Sequence, residues 1–267
     1  MRVSKSVGEF TTPWGVSVSC VYRQETNDWN TAVSCLVEDE YRIADLPVAD
    51  GATAIDIGGH IGGATLALLS RGFRVITVEP LPENMDMIAE SVDLNGWSAR
   101  WTSIHGAIAG VRGKTVKVAY GDTGTVSGSH HQYVGVTEGI FSRSTGAGQR
   151  TVEVDTVSIG ELIEMLDVRA GWIEAPLSPP FSDGRCAFLK IDVEGAEWSA
   201  FSNVTPDILA NIDVIAGELH PLPGMKDTRN EFNKLLYDQF RDFTTEIYPY
   251  TGDNLPDQAT NFYYKHR

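Results

Sequence analysis

The run Ala54-Ile-Asp-Ile-Gly-Gly-His-Ile-Gly-Gly63, followed by Thr65-Leu-Ala-Leu-Leu69, constrains this chain more than any other feature. A short apolar run ending near an acid, a glycine-rich turn and a second apolar run spell strand, tight turn and helix. Phe73–Val78 repeats the strand pattern and leads into Glu79-Pro80, with a helix expected from about Glu83 to Leu94. Strand-like segments recur at Ala99–Ala109, Thr115–Tyr120, Thr151–Val157, Ala187–Ile191 and Asp213–Leu219. Ser158 with Glu161 three residues on forms a capping box for a helix to about Leu166. Helices are also expected after Glu194 and, amphipathic, over Thr228–Phe240. Phe243–Tyr248 and Asn261–Lys265 are expected to close the sheet as an antiparallel pair. The alternation implies an α/β fold: a doubly wound, mainly parallel, Rossmann-like sheet with an antiparallel C-terminal strand. Such sheets bind ligands at the carboxyl ends of their strands, where the strand order reverses.

Ahead of this core, residues 10–23 alternate and are rich in Val, which reads as an exposed strand or hairpin. Asp28 is placed to cap a helix running to about Tyr41. No linker interrupts the alternation, so residues 1–267 are expected to form a single domain: an N-terminal strand and helix extension over 1–48 and a core over 50–267. Two segments break the rhythm. Residues 121–149 are rich in Gly, Ser and Thr and contain His130 and His131; residues 171–185 contain Pro176, Pro179 and Pro180. Connections of that length point to a binding or lid role. The two adjacent histidines suit substrate contact better than metal binding.

With 42% hydrophobic residues the chain can bury a substantial core. Its 21 Lys+Arg against 36 Asp+Glu give a formal charge of -15, which offers phosphate backbones no long-range attraction, so nucleic acid is not an expected partner. Cys20, Cys35 and Cys186 are odd in number and lack metal-type spacing, as befits reduced thiols in a cytoplasmic protein. The start of the chain lacks a signal-peptide core, and no apolar run approaches the roughly 18 residues of a membrane span. Oligomeric state is not legible.

Three clusters carry chemistry. In the first, Gly58 and Gly62 let the backbone of the turn pass close to a cofactor, and Asp56 can accept from an ammonium group. Glu79, about twenty residues after that turn, can accept both hydroxyl hydrogens of a ribose. Turn and acid together favour an adenosine-containing cofactor. The glycines lack the G-x-G-x-x-G spacing of a dinucleotide site, and an acid two residues before the first glycine suits an amino-acid tail better than a pyrophosphate. S-adenosylmethionine has that tail and no phosphate. The second cluster is Phe188-Leu-Lys-Ile-Asp-Val-Glu-Gly-Ala-Glu197, where Lys190, Asp192 and Glu194 alternate. Asp192 is a candidate for the active site, whereas Glu197 is expected to face solvent. The third is Gly217-Glu218-Leu219-His220-Pro221, where Glu218 and His220 alternate and His220 is the natural general base. Asp192, Glu218 and His220 would suit a divalent metal only if their side chains converge, and no metal is assigned.

These motifs resemble those of the FkbM-type methyltransferases. The likeness rests on Lys190-Ile-Asp-Val-Glu-Gly-Ala-Glu197, on Asp56-Ile-Gly-Gly-His-Ile-Gly62 and on Val78-Glu79-Pro80. It covers residue 50 to the end, apart from the middle insertions. The resemblance implies a class I Rossmann-like fold and methyl transfer from S-adenosylmethionine, often to hydroxyls of small molecules or sugars. It implies that Asp56, Gly58, His60 and Gly62 meet the methionine part, Glu79 the ribose and the Ala107 segment the adenine. Lys190, Asp192, Glu218 and His220 are then the catalytic candidates. The family usually carries Ala-Asn where this chain has Gly59-His60. Two other readings stay open at this stage: an NAD(P)-dependent reductase and a non-catalytic nucleotide-binding protein.

Overall fold

The apolar runs between glycine turns assemble a seven-stranded sheet. The computed structural model describes residues 4–47, 51–111, 113–120, 150–166, 184–193, 195–220, 243–248 and 260–266. Within the sheet lie β3 (Thr53–Ile57), β4 (Arg74–Glu79), β5 (Trp101–His105), β9 (Phe188–Ile191), β10 (Val214–Leu219), β11 (Phe243–Tyr248) and β12 (Thr260–His266). Their order is β11-β12-β10-β9-β3-β4-β5. The pairs among β5, β4, β3, β9 and β10 are parallel, whereas β12 runs antiparallel to both β10 and β11. Strand order reverses between β3 and β9, so the carboxyl ends of these two strands open the crevice in which such sheets hold ligands.

Helices cover both faces. The strands β3, β4 and β9 are buried at every position, which is why they read as continuous apolar runs rather than alternating ones. One face packs against α1 (Asp28–Leu36), α2 (Gly63–Ser70) and α3 (Pro82–Leu94); the other packs against α4 (Ile159–Leu166), α5 (Glu197–Phe201) and α6 (Pro206–Leu209). All residues of α2 except Ser70 are buried. A helix apolar all round needs cover on its outer side too, and here α1 and the N-terminal hairpin supply it. Pro82 at the start of α3 suits the first helical position, where its missing N–H costs nothing. The capping box of α4 is in place: Glu161 accepts from the Ser158 N–H at 3.0 Å, and Ser158 Oγ accepts from the Glu161 N–H at 3.3 Å.

Several expectations are corrected. Residues 10–23 belong to the hairpin β1 (Lys5–Thr11) and β2 (Ser17–Arg23), and this hairpin is not an exposed appendage. Val18, Cys20 and Val21 of β2 are buried in the same core as α2 and α3. The first helix stops at Leu36 instead of Tyr41. Asp39 takes a positive φ and its carboxylate accepts from the Ile43 and Ala44 N–H groups, which turns the chain before Tyr41. Asp28 does not cap α1: Asn27 occupies the cap, and the Asp28 carboxylate is taken by Arg23. The segment Ala99–Ala109 is two strands, β5 and β6 (Ala107–Ile108), broken at Gly106. There β6 leaves the main sheet to join a three-stranded one, ordered β6-β8-β7, with β7 (Thr115–Tyr120) and β8 (Arg150–Val157). The segment 121–149 with His130 and His131, most of 171–185, Glu194 and the helix expected over Thr228–Phe240 lie outside the described residues. Cys20, Cys35 and Cys186 are buried thiols. Among the described residues no helix is long and apolar enough to cross a membrane.

Candidate active site

The glycine turn follows β3 directly. Gly58 and Gly59 both donate their N–H to the Val78 carbonyl, at 2.9 and 3.2 Å, which folds the turn over the end of β4. Gly58 has φ +83°, and a Cβ there would sit 1.9 Å from the Asp192 carbonyl oxygen. Only glycine fits where the ends of β3 and β9 come this close. Beneath the turn lies Lys190, 3% exposed. Its ammonium donates to the Gly58 carbonyl at 2.6 Å and pairs with Asp56 at 3.2 Å. Burial alone would lower the Lys190 pKa, but the charges of Asp56 and Asp192 raise it above the ordinary lysine range. A cation held this way cannot take up a proton, so Lys190 fastens the turn and is not a base.

Beside the turn a cavity of about 450 Å³ opens at the carboxyl ends of the strands. Its walls include Gly58, Gly59, His60, Glu79, Pro80, Ala107 and Ile108 from the sheet side. The polar face of α1, with Asn27, Asn30, Thr31 and Ser34, forms the opposite wall. Asp192, Lys190 and Glu218 complete the lining. Of the residues expected to meet a cofactor, Gly58, His60, Glu79 and Ala107 line this cavity. Asp56 and Gly62 do not. The Asp56 carboxylate is wholly buried and is occupied by Lys190 and by the Thr65 hydroxyl at 2.6 Å. Gly62 lies against Ile88, which a Cβ there would approach to 3.2 Å. Among the candidates for catalysis, His220 is not part of the wall; it stands behind Glu218, its Nε2 3.9 Å from Glu218 Oε2.

Glu79 is 1% exposed. Its carboxylate accepts from the His60 N–H at 2.8 Å, the Leu81 N–H at 2.9 Å and the Asn84 amide at 3.0 Å. Burial pushes its carboxyl up to about 7, against the three donors, which pull the other way. The His60 backbone thus serves the turn while its ring points elsewhere: Nε2 lies 3.3 Å from the Arg23 guanidinium and 3.6 Å from Asp28 Oδ1. Burial disfavours the Asp28 charge, but the hydrogen bonds from Arg23 and the charges of His60 and Arg23 together outweigh this and hold the carboxyl below its ordinary range. The cluster Arg23–Asp28–His60 therefore docks the N-terminal hairpin and α1 onto the glycine turn.

Next to the glycine turn the acids and histidine converge. Ligand-type atoms of Asp192, Glu218 and His220 lie within 4.8 Å of one another. Tyr41, 4% exposed, donates its hydroxyl to Asp192 at 3.0 Å. Burial and then the Asp192 charge push the Tyr41 hydroxyl well above its ordinary range, so it remains a donor. Glu197 overturns its expected place in solvent: it is 0% exposed and accepts from His220 Nδ1 at 2.9 Å and from the Val193 N–H at 3.0 Å. Sequence reasoning missed Tyr41 and the polar face of α1, whose contacts with the site are long-range. Glu197 carried a signal of its own, lying one helical turn after Val193.

A parallel sheet with this strand order, a glycine turn on its first core strand, an acid ending the second and a cavity between them define a class I, Rossmann-like methyltransferase fold. The chain belongs to the FkbM methyltransferase family: a family model described as the methyltransferase FkbM domain matches residues 56–243. Solved structures similar to it include an rRNA methylase from Streptococcus thermophilus, with TM-score 0.43, 8% identity, and 86% of this chain and 93% of that one covered. A precorrin-6y C5,15-methyltransferase from Geobacter metallireducens gives TM-score 0.42 and 9% identity, with 97% and 94% covered. A human methyltransferase 10 domain containing protein gives 0.43 and 11%, with 84% and 78% covered. No curated protein matches the sequence significantly.

Proposed function

We propose that this methyltransferase uses S-adenosylmethionine to methylate a hydroxyl oxygen of a small molecule or a sugar. The observation that carries this reading is the one cavity lined by the buried acid Glu79, the glycine turn, Asp192 and Glu218, with His220 beside Glu218. The residues fit the cofactor. With three of its roughly four acceptor sites filled, Glu79 keeps capacity for one ribose hydroxyl, and Pro80, Ala107 and Ile108 offer apolar surface for adenine. The turn backbone and the polar face of α1 suit the amino-acid tail. When bound, S-adenosylmethionine supplies a methyl group on a positively charged sulfur. The residues of this chain then hold the acceptor hydroxyl near that carbon and remove its proton. His220 Nε2 accepts the proton, while Asp192, steadied by Tyr41, and Glu218 orient the hydroxyl. An acidic wall on a chain of formal charge -15 disfavours phosphorylated acceptors and nucleic acid.

The same three groups can instead hold a divalent cation that binds the acceptor oxygen, a choice favoured by their convergence within 4.8 Å. The test is calorimetry with S-adenosylhomocysteine and with NAD, followed by transfer of a labelled methyl group to panels of hydroxyl, amine and oligonucleotide acceptors, with and without a chelator. Binding of S-adenosylhomocysteine and labelling of hydroxyl compounds are expected. Binding of NAD alone, or labelling confined to amines or oligonucleotides, would overturn the reading. Loss of turnover on chelation selects the cation.

A further inference from the structure

We infer that Glu197 is a positioning residue: it fixes His220 with the proton on Nδ1 and so leaves Nε2 as the basic atom facing the acidic cluster. This inference rests on the reading of His220 given above, and it holds whether Nε2 meets a proton or a cation.

The geometry dictates the tautomer. Glu197 Oε1 accepts from the Val193 N–H at 3.0 Å, so that oxygen acts as an acceptor, and it is the same oxygen that meets His220 Nδ1 at 2.9 Å. An acceptor oxygen requires N–H on its partner, so Nδ1 carries hydrogen. This holds for Glu197 as a carboxylate, whose oxygens only accept. In the neutral ring the lone pair is then on Nε2, which lies 3.9 Å from Glu218 Oε2 at the edge of the cavity.

The next residue holds the backbone of the same histidine. Trp198 donates its indole N–H to the His220 carbonyl at 2.9 Å. Two consecutive residues at the start of α5 thus grip the ring and the main chain of His220, just past the end of β10. This grip is not a cheap way to pack a core. Glu197 is 0% exposed and its Oε2 is buried with no hydrogen-bond partner. A buried carboxylate with an unsatisfied oxygen costs more than an apolar side chain of similar size would. That cost is explained if the carboxylate orients a functional imidazole.

The experiment uses the full chain with ¹⁵N-labelled histidine. Long-range ¹H–¹⁵N spectra report which ring nitrogen carries the proton, and His220→Asn assigns the signal. In the free wild type, above the titration of the ring, the Nδ1–H form is expected. Glu197→Gln can keep both bonds through its amide oxygen, so the Nδ1–H form is expected to persist there, whereas in Glu197→Leu, with no acceptor left for Nδ1, the Nε2–H form is expected in its place. Turnover of the leucine variant should fall at least about tenfold and up to about 10⁴-fold, the loss that accompanies a wrong tautomer. The KM for the acceptor and the affinity for S-adenosylhomocysteine should stay within about twofold. An Nε2–H ring in the wild type overturns the inference, as does a folded Glu197→Leu enzyme with unchanged kcat. If the variant does not fold, the wild-type spectrum still decides. Absence of S-adenosylhomocysteine binding or of methyl transfer in the wild type would count against the proposed reaction, whereas the tautomer is read without any ligand.

Discussion

The Lys190 ammonium donates to the Gly58 carbonyl at 2.6 Å, so the strand that leads into Asp192 is fastened to the glycine turn, and both line the same cavity. Replacing Lys190 with Met removes that bond and leaves the buried Asp56 carboxylate without its cation. Breaking a buried pair from one side costs about 3–5 kcal/mol. Urea unfolding should show a loss of that order, and adding Asp56→Asn should cost less than the sum of the single changes. Additive losses would mean that the two side chains do not act as a pair.

Glu79 makes both stability and cofactor binding depend on pH. Its carboxyl lies at about 7 in the fold against an ordinary 4.5. A raised carboxyl means that the fold prefers the protonated form, so its contribution is fully present below about 4.5 and is lost as pH rises through about 7. Unfolding free energy measured between pH 4.5 and 8 should carry this downward component, and Glu79→Gln should remove it. S-adenosylhomocysteine affinity should run the opposite way in the wild type, rising toward pH 8 as the carboxylate becomes a better acceptor for a ribose hydroxyl. In Glu79→Gln at pH 8 the affinity should drop roughly ten- to hundredfold, the worth of a charged acceptor at about 1.5–3 kcal/mol.

His220→Ala should leave S-adenosylhomocysteine affinity nearly intact, because His220 is not among the residues that line the cavity. Turnover should fall by roughly 10²–10⁴, the usual worth of a general base. Glu197, Glu218 and Asp192 are the titratable groups around the ring. Any limb of the wild-type rate profile that rises as the base loses its proton should be absent from the alanine variant. A variant with full turnover and an unchanged profile removes His220 from the mechanism.

Gly217→Ala tests the spacing on which the cluster depends. A Cβ at Gly217 would lie 1.8 Å from the Ile191 carbonyl oxygen, so β9 and β10 would have to separate. Asp192 follows one of these strands and Glu218 lies on the other. Overpacking of this kind costs about 1–3 kcal/mol, which thermal unfolding should register, and turnover should fall further than cofactor affinity does. A wild-type melting point would show that the two strands tolerate the methyl group.

The glycine turn, Glu79, Asp192 and Glu218 were legible because each sits at the end of an apolar run, and a strand's end is visible in one dimension. Which way a side chain turns from such an end was not. Asp56 looked ready for a cofactor, but its partner is Lys190, distant in sequence but adjacent in the sheet. His60 was expected at the methionine tail; it lines the cavity, and its ring also meets Arg23 and Asp28, from a hairpin and helix whose docking depends on tertiary contacts. Glu197 resembled a surface residue because the inward face of a five-residue helix has too little periodicity to read. The strands over Thr115–Tyr120 and Arg150–Val157 were recognised as strands, but their departure into a second sheet follows from non-local pairing at Gly106 and β6.

The position of β12 between β10 and β11 carries a consequence for synthesis. Until Thr260–His266 emerge from the ribosome, β10 and β11 both lack the strand that pairs with each of them in the fold. An unpaired strand edge invites pairing with other chains. The nascent protein therefore passes through a stage in which its cofactor crevice can already form while its sheet is still open on one side. Stalling or truncation before residue 260 should yield aggregates rather than a shortened enzyme.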